Sequence, residues 1–178
     1  MALILVRHTT PLVAEGTCYG RTDLDVASSF EQEASAVSLA LPSFVRIVTS
    51  PLQRCRKLAA FLNRSKNLPL TIEPRLAEMD FGRWEGVLWS EIPRGELDRW
   101  AADFLHACPH DGESVATLRL RTQQALREVN TVGEHTLVVT HSGVIRAALS
   151  TGDGADDFST NVDFGGFVEL PDVQGDQR

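Results

Sequence analysis

The chain is short of cysteine and lacks the spacings that make cysteine structural. Its three, Cys18, Cys55 and Cys108, form no Cys-x-x-Cys pair, and an odd number cannot all pair internally. That usage suits a reducing compartment rather than a disulfide-stapled secreted domain. A structural zinc site wants about four clustered Cys or His ligands, and here they are scattered. Long apolar runs are missing too, none approaching the roughly 20 residues that cross a bilayer. No basic region precedes the apolar start, Met1 to Val6, so no secretory signal is expected. The expected location is the cytoplasm, away from membranes. Positive charge is scarce: 17 Lys and Arg against 24 Asp and Glu leave a net charge of −7. Nucleic-acid binding, which needs a basic face, is therefore not expected. Repeats, coiled-coil heptads and low-complexity tracts are absent as well.

What is present fits one domain. The 178 residues are enough for a single core, and residues 1–170 are expected to form it, with a polar, frayed tail over 171–178. Ala2 to Val6, Val45 to Thr49 and Thr136 to Thr140 are short continuous apolar runs, as in strands buried on both faces. Each is followed by helical sequence, which predicts a three-layer α/β/α sandwich around a mainly parallel sheet. Ser50-Pro51-Leu52-Gln53 reads as a capping box opening a helix with Leu52, Cys55, Ala59 and Leu62 on its apolar stripe. Ser29 to Gln32 reads as a second box, opening a helix to about Leu41. A third helix is predicted over Ser114 to Val129, with Val115, Leu118, Thr122, Ala125, Leu126 and Val129 facing inward. Glu96 to Ala107 is read as helical, Phe164 to Leu170 as a last strand, and Thr151 to Asp157 as a mobile loop.

In an acidic protein that binds an anion, the few cations must gather in a cleft. Arg7-His8 stands where the first strand runs out, and His141-Ser142-Gly143 stands just past Val138-Val139-Thr140. Arg54 falls in the first turn of the helix after Val45 to Thr49. Ligands of open parallel sheets bind beyond the carboxyl ends of the strands, so these segments converge on one sheet edge. Two guanidiniums can grip phosphate oxygens, helix N-termini near Ser50 and Ser142 can add backbone donors, and a neutral imidazole can attack phosphorus. The arginines disfavour the imidazolium of His8, whose second ring nitrogen needs an acceptor such as a main-chain carbonyl. Glu78 is the candidate proton donor to the leaving alkoxide, since a neighbouring phosphate favours its protonated form; position alone does not separate it from Asp80 and Glu85.

The pieces Leu5-Val6-Arg7-His8, Ser50 to Cys55, Leu76-Ala77-Glu78 with Phe81-Gly82-Arg83-Trp84-Glu85-Gly86, Asp111-Gly112-Glu113-Ser114, and Thr140 to Arg146 resemble the histidine phosphatase superfamily, the phosphoglycerate-mutase-like group. They come in family order and span about residues 3 to 150. The resemblance implies a phosphoglycerate-mutase-like fold, no metal and no cofactor. It makes His8 the phosphorylated nucleophile and Glu78 the proton donor, and puts Arg7, Arg54 and His141 in the phosphate pocket. Ser142 is included among the phosphate contacts, with Thr9 and Arg21 as further substrate contacts. The opening departs from the commoner pattern: Thr9 and Pro11 replace its glycine and threonine, and Ala14 its asparagine. The Arg-His-Thr-x-Pro form followed by Cys18 to Asp23 is similar to the branch containing α-ribazole phosphatases, which cleave a nucleotide 5′-phosphate.

Taken singly, each residue has a plainer reading. Arg7-His8 alone would be a surface pair, His141 a hydrogen-bonded core histidine and Arg54 a solvated helix residue. Trp84, Trp89 and Trp100 read as core or pocket wall, and His106, His110 and His135 as surface residues. The expected activity is hydrolysis of a small phosphomonoester, with a phosphomutase and a catalytically silent phosphate-binding module as rivals. A phosphatase acting on protein phosphohistidine is disfavoured by the Phe-Gly-x-Trp-Glu-Gly region. Substrate choice is assigned to walls over the pocket from Cys18 to Asp25, Phe81 to Arg99 and Thr151 to Asp157.

Overall fold

The computed structural model describes residues 3–130 and 135–170. In chain order the elements are β1 (Leu3–Arg7), α1 (Phe30–Ala40), β2 (Arg46–Thr49), α2 (Gln53–Asn63), β3 (Leu70–Ile72), α3 (Arg94–Ala102), α4 (Val115–Val129), β4 (Thr136–Thr140), α5 (Ser142–Leu149) and β5 (Phe167–Leu170). The strands form one sheet in the order β3-β2-β4-β1-β5. All neighbours are parallel except β5, which runs antiparallel to β1 at one edge. The tail from residue 171, expected to be frayed, lies outside the described residues, as does Ala2 at the expected start of β1.

Alternation along the buried strands sorts their side chains into two cores. Leu3, Leu5, Val48 and Val138 pack with Leu118, Ala125 and Leu126 of α4 and with Val144, Ile145 and Ala147 of α5. Ile4, Val6, Ile47, Leu137 and Val139 pack on the opposite face with Ala34 and Val37 of α1 and Cys55, Leu58 and Leu62 of α2. Both faces are covered, which gives the three layers. The inward set of α4 is the predicted one, Val115, Leu118, Thr122, Ala125, Leu126 and Val129.

Helix starts are where local reading falls short. Ser50 does not cap α2, whose N-cap is Leu52. Instead Asp23 Oδ1 accepts the Gln53 amide at 2.7 Å, and the Gln53 side chain donates to the Asp23 carbonyl. A carboxylate from a distant loop thus outcompetes the predicted box. Ser29 is the N-cap residue of α1 but makes no side-chain cap bond. Its hydroxyl goes to Glu33 Oε1, while Glu33 Oε2 accepts the Thr10 amide at 2.8 Å. The helix read over Glu96 to Ala107 begins earlier and ends at Ala102, followed by turns. The last strand begins only at Phe167, because Gly165 at φ 73° turns the chain. The short edge strand β3 was not anticipated; its exposed residues carry no burial pattern. Thr151 to Asp157, read as a mobile loop, is tied to α4 by Arg119, which donates to the Gly152 carbonyl and to Asp153.

Candidate active site

Parallel pairing brings the carboxyl ends of β1, β2 and β4 to one edge, with Arg7 in register with Thr140. The ladder extends one residue further: the His8 amide donates to the Thr140 carbonyl at 3.0 Å, and the Ser50 amide to the Val139 carbonyl at 2.9 Å. His8 and Ser50 are thereby fixed by backbone as well as by packing. His8 is 2% exposed, and its Nδ1 donates to the Thr9 carbonyl at 2.7 Å. A carbonyl only accepts, so the proton sits on Nδ1 and the lone pair on Nε2. Burial, followed by the Arg54 charge, pulls the His8 pKa down to about 3, with Arg7 adding to the effect and the Thr9 bond opposing it. The ring is neutral and its Nε2 is a base.

Arg54 and His141 lie behind this ring, both fully buried. Arg54 Nε donates to His8 Nε2 at 3.3 Å, a long bond. Its two other nitrogens hold the Thr22 and Gly20 carbonyls at 2.8 and 2.7 Å. The chain also passes tightly at Gly20, where an added Cβ would lie 1.8 Å from the Met79 carbonyl oxygen. The His141 ring stands 5.1 Å from that of His8, with Nε2 2.7 Å from Ser50 Oγ. Burial first, and then competition with His8 for a proton and the charges of nearby arginines, pull its pKa well below the ordinary value. Arg7 packs over Phe164 at 3.8 Å, and its Nη1 donates to the Val162 carbonyl. Among the described residues, neither Arg7 nor Arg54 is paired with a carboxylate, and Arg7 Nε is buried without a partner. In a protein of net charge −7, that is an unneutralised cationic spot.

His8, Arg7, Glu78, Ser142 and Gly143 line one cavity of about 400 Å³. Of the three candidate carboxylates only Glu78 reaches it. Asp80 is bound to the Gly82 amide, and Glu85 accepts from the amides of Phe81, Arg21 and Thr22. Glu78 Oε1 accepts the Met79 amide at 2.9 Å and Oε2 the Gly143 amide at 3.0 Å. The first turn of α5 therefore holds this carboxylate through Gly143. Behind it, Arg121 of α4 donates to the Ala77 carbonyl at 2.7 Å and the Glu78 carbonyl at 3.0 Å, and its Nε pairs with Glu113 at 2.6 Å.

The predicted residues separate into groups. Arg7, His8, Glu78 and Ser142 line the cavity, while Arg54 and His141 touch or flank His8 from beneath its wall. Thr9 is fully buried outside the lining and contributes its carbonyl, not its hydroxyl. Arg21 is exposed, 4.0 Å from Glu113, and is not brought to the cavity. His110 is not a surface residue. It is fully buried 4.9 Å from Trp84, with Nδ1 accepting the Gly112 amide. Trp84 is core, while Trp89 and Trp100 are cavity wall. None of Thr151 to Asp157 lines the cavity; Phe158 and Asn161, just beyond, do. Arg121 was missed, because its carbonyl partners lie more than 40 residues earlier and no local pattern marks it.

The model of the histidine phosphatase superfamily (branch 1) matches residues 3–159. The chain belongs to that family. A metal-independent phosphoserine phosphatase of Arabidopsis thaliana is 31% identical over 156 residues, covering 82% of this chain and 66% of the relative. An adenosylcobalamin/alpha-ribazole phosphatase of Escherichia coli is 27% identical over 158 residues, covering 84% of this chain and 78% of that one. Among solved structures, a phosphoglycerate mutase from Thermus thermophilus superposes with a TM-score of 0.77 at 30% identity, covering 97% of this chain and 94% of the other. Family membership and phosphatase-named relatives put this histidine phosphatase among the phosphomonoester hydrolases. Among its described residues no helix is long and apolar enough to cross a membrane.

Proposed function

We propose that this histidine phosphatase hydrolyses a small phosphomonoester through a phosphohistidine on His8 Nε2, without a metal or other cofactor. The observation that carries this reading is the single hydrogen bond that fixes the His8 tautomer, Nδ1 to the Thr9 carbonyl, in a ring facing the same cavity as Glu78. In the first step the Nε2 lone pair forms a bond to phosphorus while the phosphorus–oxygen ester bond breaks. Protonated Glu78 gives its proton to the departing alkoxide. In the second step the Glu78 carboxylate takes a proton from water, whose oxygen attacks phosphorus as the phosphorus–nitrogen bond breaks. His8 returns neutral.

Arg7 and the first turn of α5 at Ser142 are the donors best sited for the phosphoryl oxygens. As phosphorus takes the Nε2 lone pair, the long bond from Arg54 is lost, and that N–H is freed for an oxygen on the same phosphorus. His141 and Ser50 hold the base of the pocket from behind. α-Ribazole 5′-phosphate is the substrate to which the Arg-His-Thr-x-Pro opening points, in keeping with the E. coli relative. The likeness to a phosphoglycerate mutase keeps a mutase as the second reading.

The test is a trap. The chain is incubated with phosphorus-labelled substrate and quenched in alkali, and an acid-labile label on His8 is expected, absent from His8→Ala. Label that persists in His8→Ala overturns the nucleophile, and no label with any ester favours a silent binding module. Activity lost to chelators and restored by a divalent metal points to a metallophosphatase. Product that appears only when a phosphoglycerate pair is supplied favours the mutase.

A further inference from the structure

The cavity that holds His8 and Glu78 is also walled by five aromatic rings in mutual contact. Phe81 meets Trp89 at 5.6 Å and Trp100 at 6.2 Å between ring centroids, Trp100 meets Phe104 at 5.5 Å, and Phe104 meets Phe158 at 5.4 Å. All five line the cavity. The wall comes from three separate parts of the chain, the Phe81–Trp89 segment, α3 with its following turn, and the turn after α5.

We propose that this aromatic wall is the subsite for the alcohol part of the substrate, and that the preferred leaving group carries a flat apolar ring rather than a carboxylate. The proposal rests on the phosphomonoesterase reading and specifies what that enzyme selects. Ring faces carry partial negative charge, so they favour ring edges and apolar surface and disfavour carboxylates. An amino-acid or glycerate leaving group needs a cation of its own. Among the described residues of the lining, Arg146 is the only arginine or lysine besides Arg7 at the reacting end; its Nε donates to the Thr160 carbonyl at 2.9 Å, which leaves its charge in place, so a single cation stands beside five rings.

The wall is also held in place before any ligand arrives. The Phe81 amide is bound to Glu85 at 3.1 Å, the Trp89 amide to the Gly16 carbonyl at 2.9 Å, and Trp84 behind them donates its indole N–H to Glu96 at 2.7 Å. A preformed apolar face loses little freedom when a ring covers it.

The experiment compares kcat/KM for 2-phenylethyl phosphate, propyl phosphate and phosphoserine. The first two release primary alcohols of similar acidity, so their difference reports the subsite and not the chemistry. We expect 2-phenylethyl phosphate to lead propyl phosphate by about 30-fold or more, and phosphoserine by at least as much. Trp89→Leu should narrow the first ratio to about 5-fold or less. Binding of the 2-phenylethyl and propyl phosphonates to the unaltered chain gives the same ordering without turnover. Equal constants for the two phosphonates, or a lead for phosphoserine, overturn the subsite. If His8 is labelled by all three esters at similar rates, the phosphohistidine reading stands and the aromatic subsite falls. If no ester labels His8 but the phosphonates still rank as expected, the subsite stands and the phosphohistidine reading falls.

Discussion

At the residue scale, the protonation of His8 decides what the site can do. With its pKa near 3 the ring stays neutral far below the point at which an exposed histidine would gain a proton. Phosphoenzyme formation at saturating substrate is therefore expected to change by less than about 3-fold between pH 7 and pH 5, read by rapid quench. A drop with a midpoint near that of an ordinary histidine, about 6.5, would show that His8 is not held as described. Glu78 has a separate signature. Glu78→Gln should slow alkyl phosphates by about 10² to 10³-fold and p-nitrophenyl phosphate far less, since nitrophenolate leaves without a proton. An equal loss on both esters would argue against proton donation. The sequence made Arg7, His8, Arg54, Glu78 and His141 visible because each sits next to a strand end or in a family motif. Thr9 misled, because its contribution comes from a backbone carbonyl that every residue possesses.

At the element scale, two helices reach the segment that carries Glu78. The first turn of α5 approaches so closely that a Cβ on Gly143 would lie 2.3 Å from Glu78 Oε1. Gly143→Ala should therefore displace the carboxylate, which sits at the end of a flexible side chain, while sparing the fold. A fall in kcat of about 10-fold or more with a small change in denaturation midpoint is expected. α4 acts through Arg121, largely buried and paired with Glu113. Arg121→Ala strands that carboxylate and the carbonyls of Ala77 and Glu78, and should cost about 3 kcal/mol by urea unfolding, with lower activity in the folded fraction. No loss of stability would mean that water replaces the guanidinium. Strands and the α4 stripe could be read locally, because burial on one or both faces leaves a periodic trace. Helix starts could not, because α2 takes its cap from Asp23, 30 residues earlier.

At the scale of the molecule, the buried histidines couple stability to pH. His8 and His141 are both held below the ordinary histidine range, mainly by burial, and His110 shares the direction. The unfolded chain accepts protons near pH 6.5 that the folded chain refuses, so stability is complete above about that pH and declines as pH falls toward about 3. Between about pH 6.5 and 5 ordinary carboxylates contribute little, since they titrate lower. The urea midpoint should fall across that window, and His141→Gln should flatten the slope; a level midpoint would contradict the buried, neutral state. The amino-acid sequence by itself determined the sandwich and the family and marked the candidate site residues, because apolar strands, the motifs at their ends and the order of the segments are local patterns. Tertiary structure alone decided which carboxylate of three enters the cavity, that Arg54 and His141 lie beneath His8, that Arg21 stays outside, and that aromatic rings from three separate segments form one wall. Those outcomes depend on which groups meet across 32, 43 or 91 residues of chain, and only packing and the demand for buried hydrogen-bond partners select them.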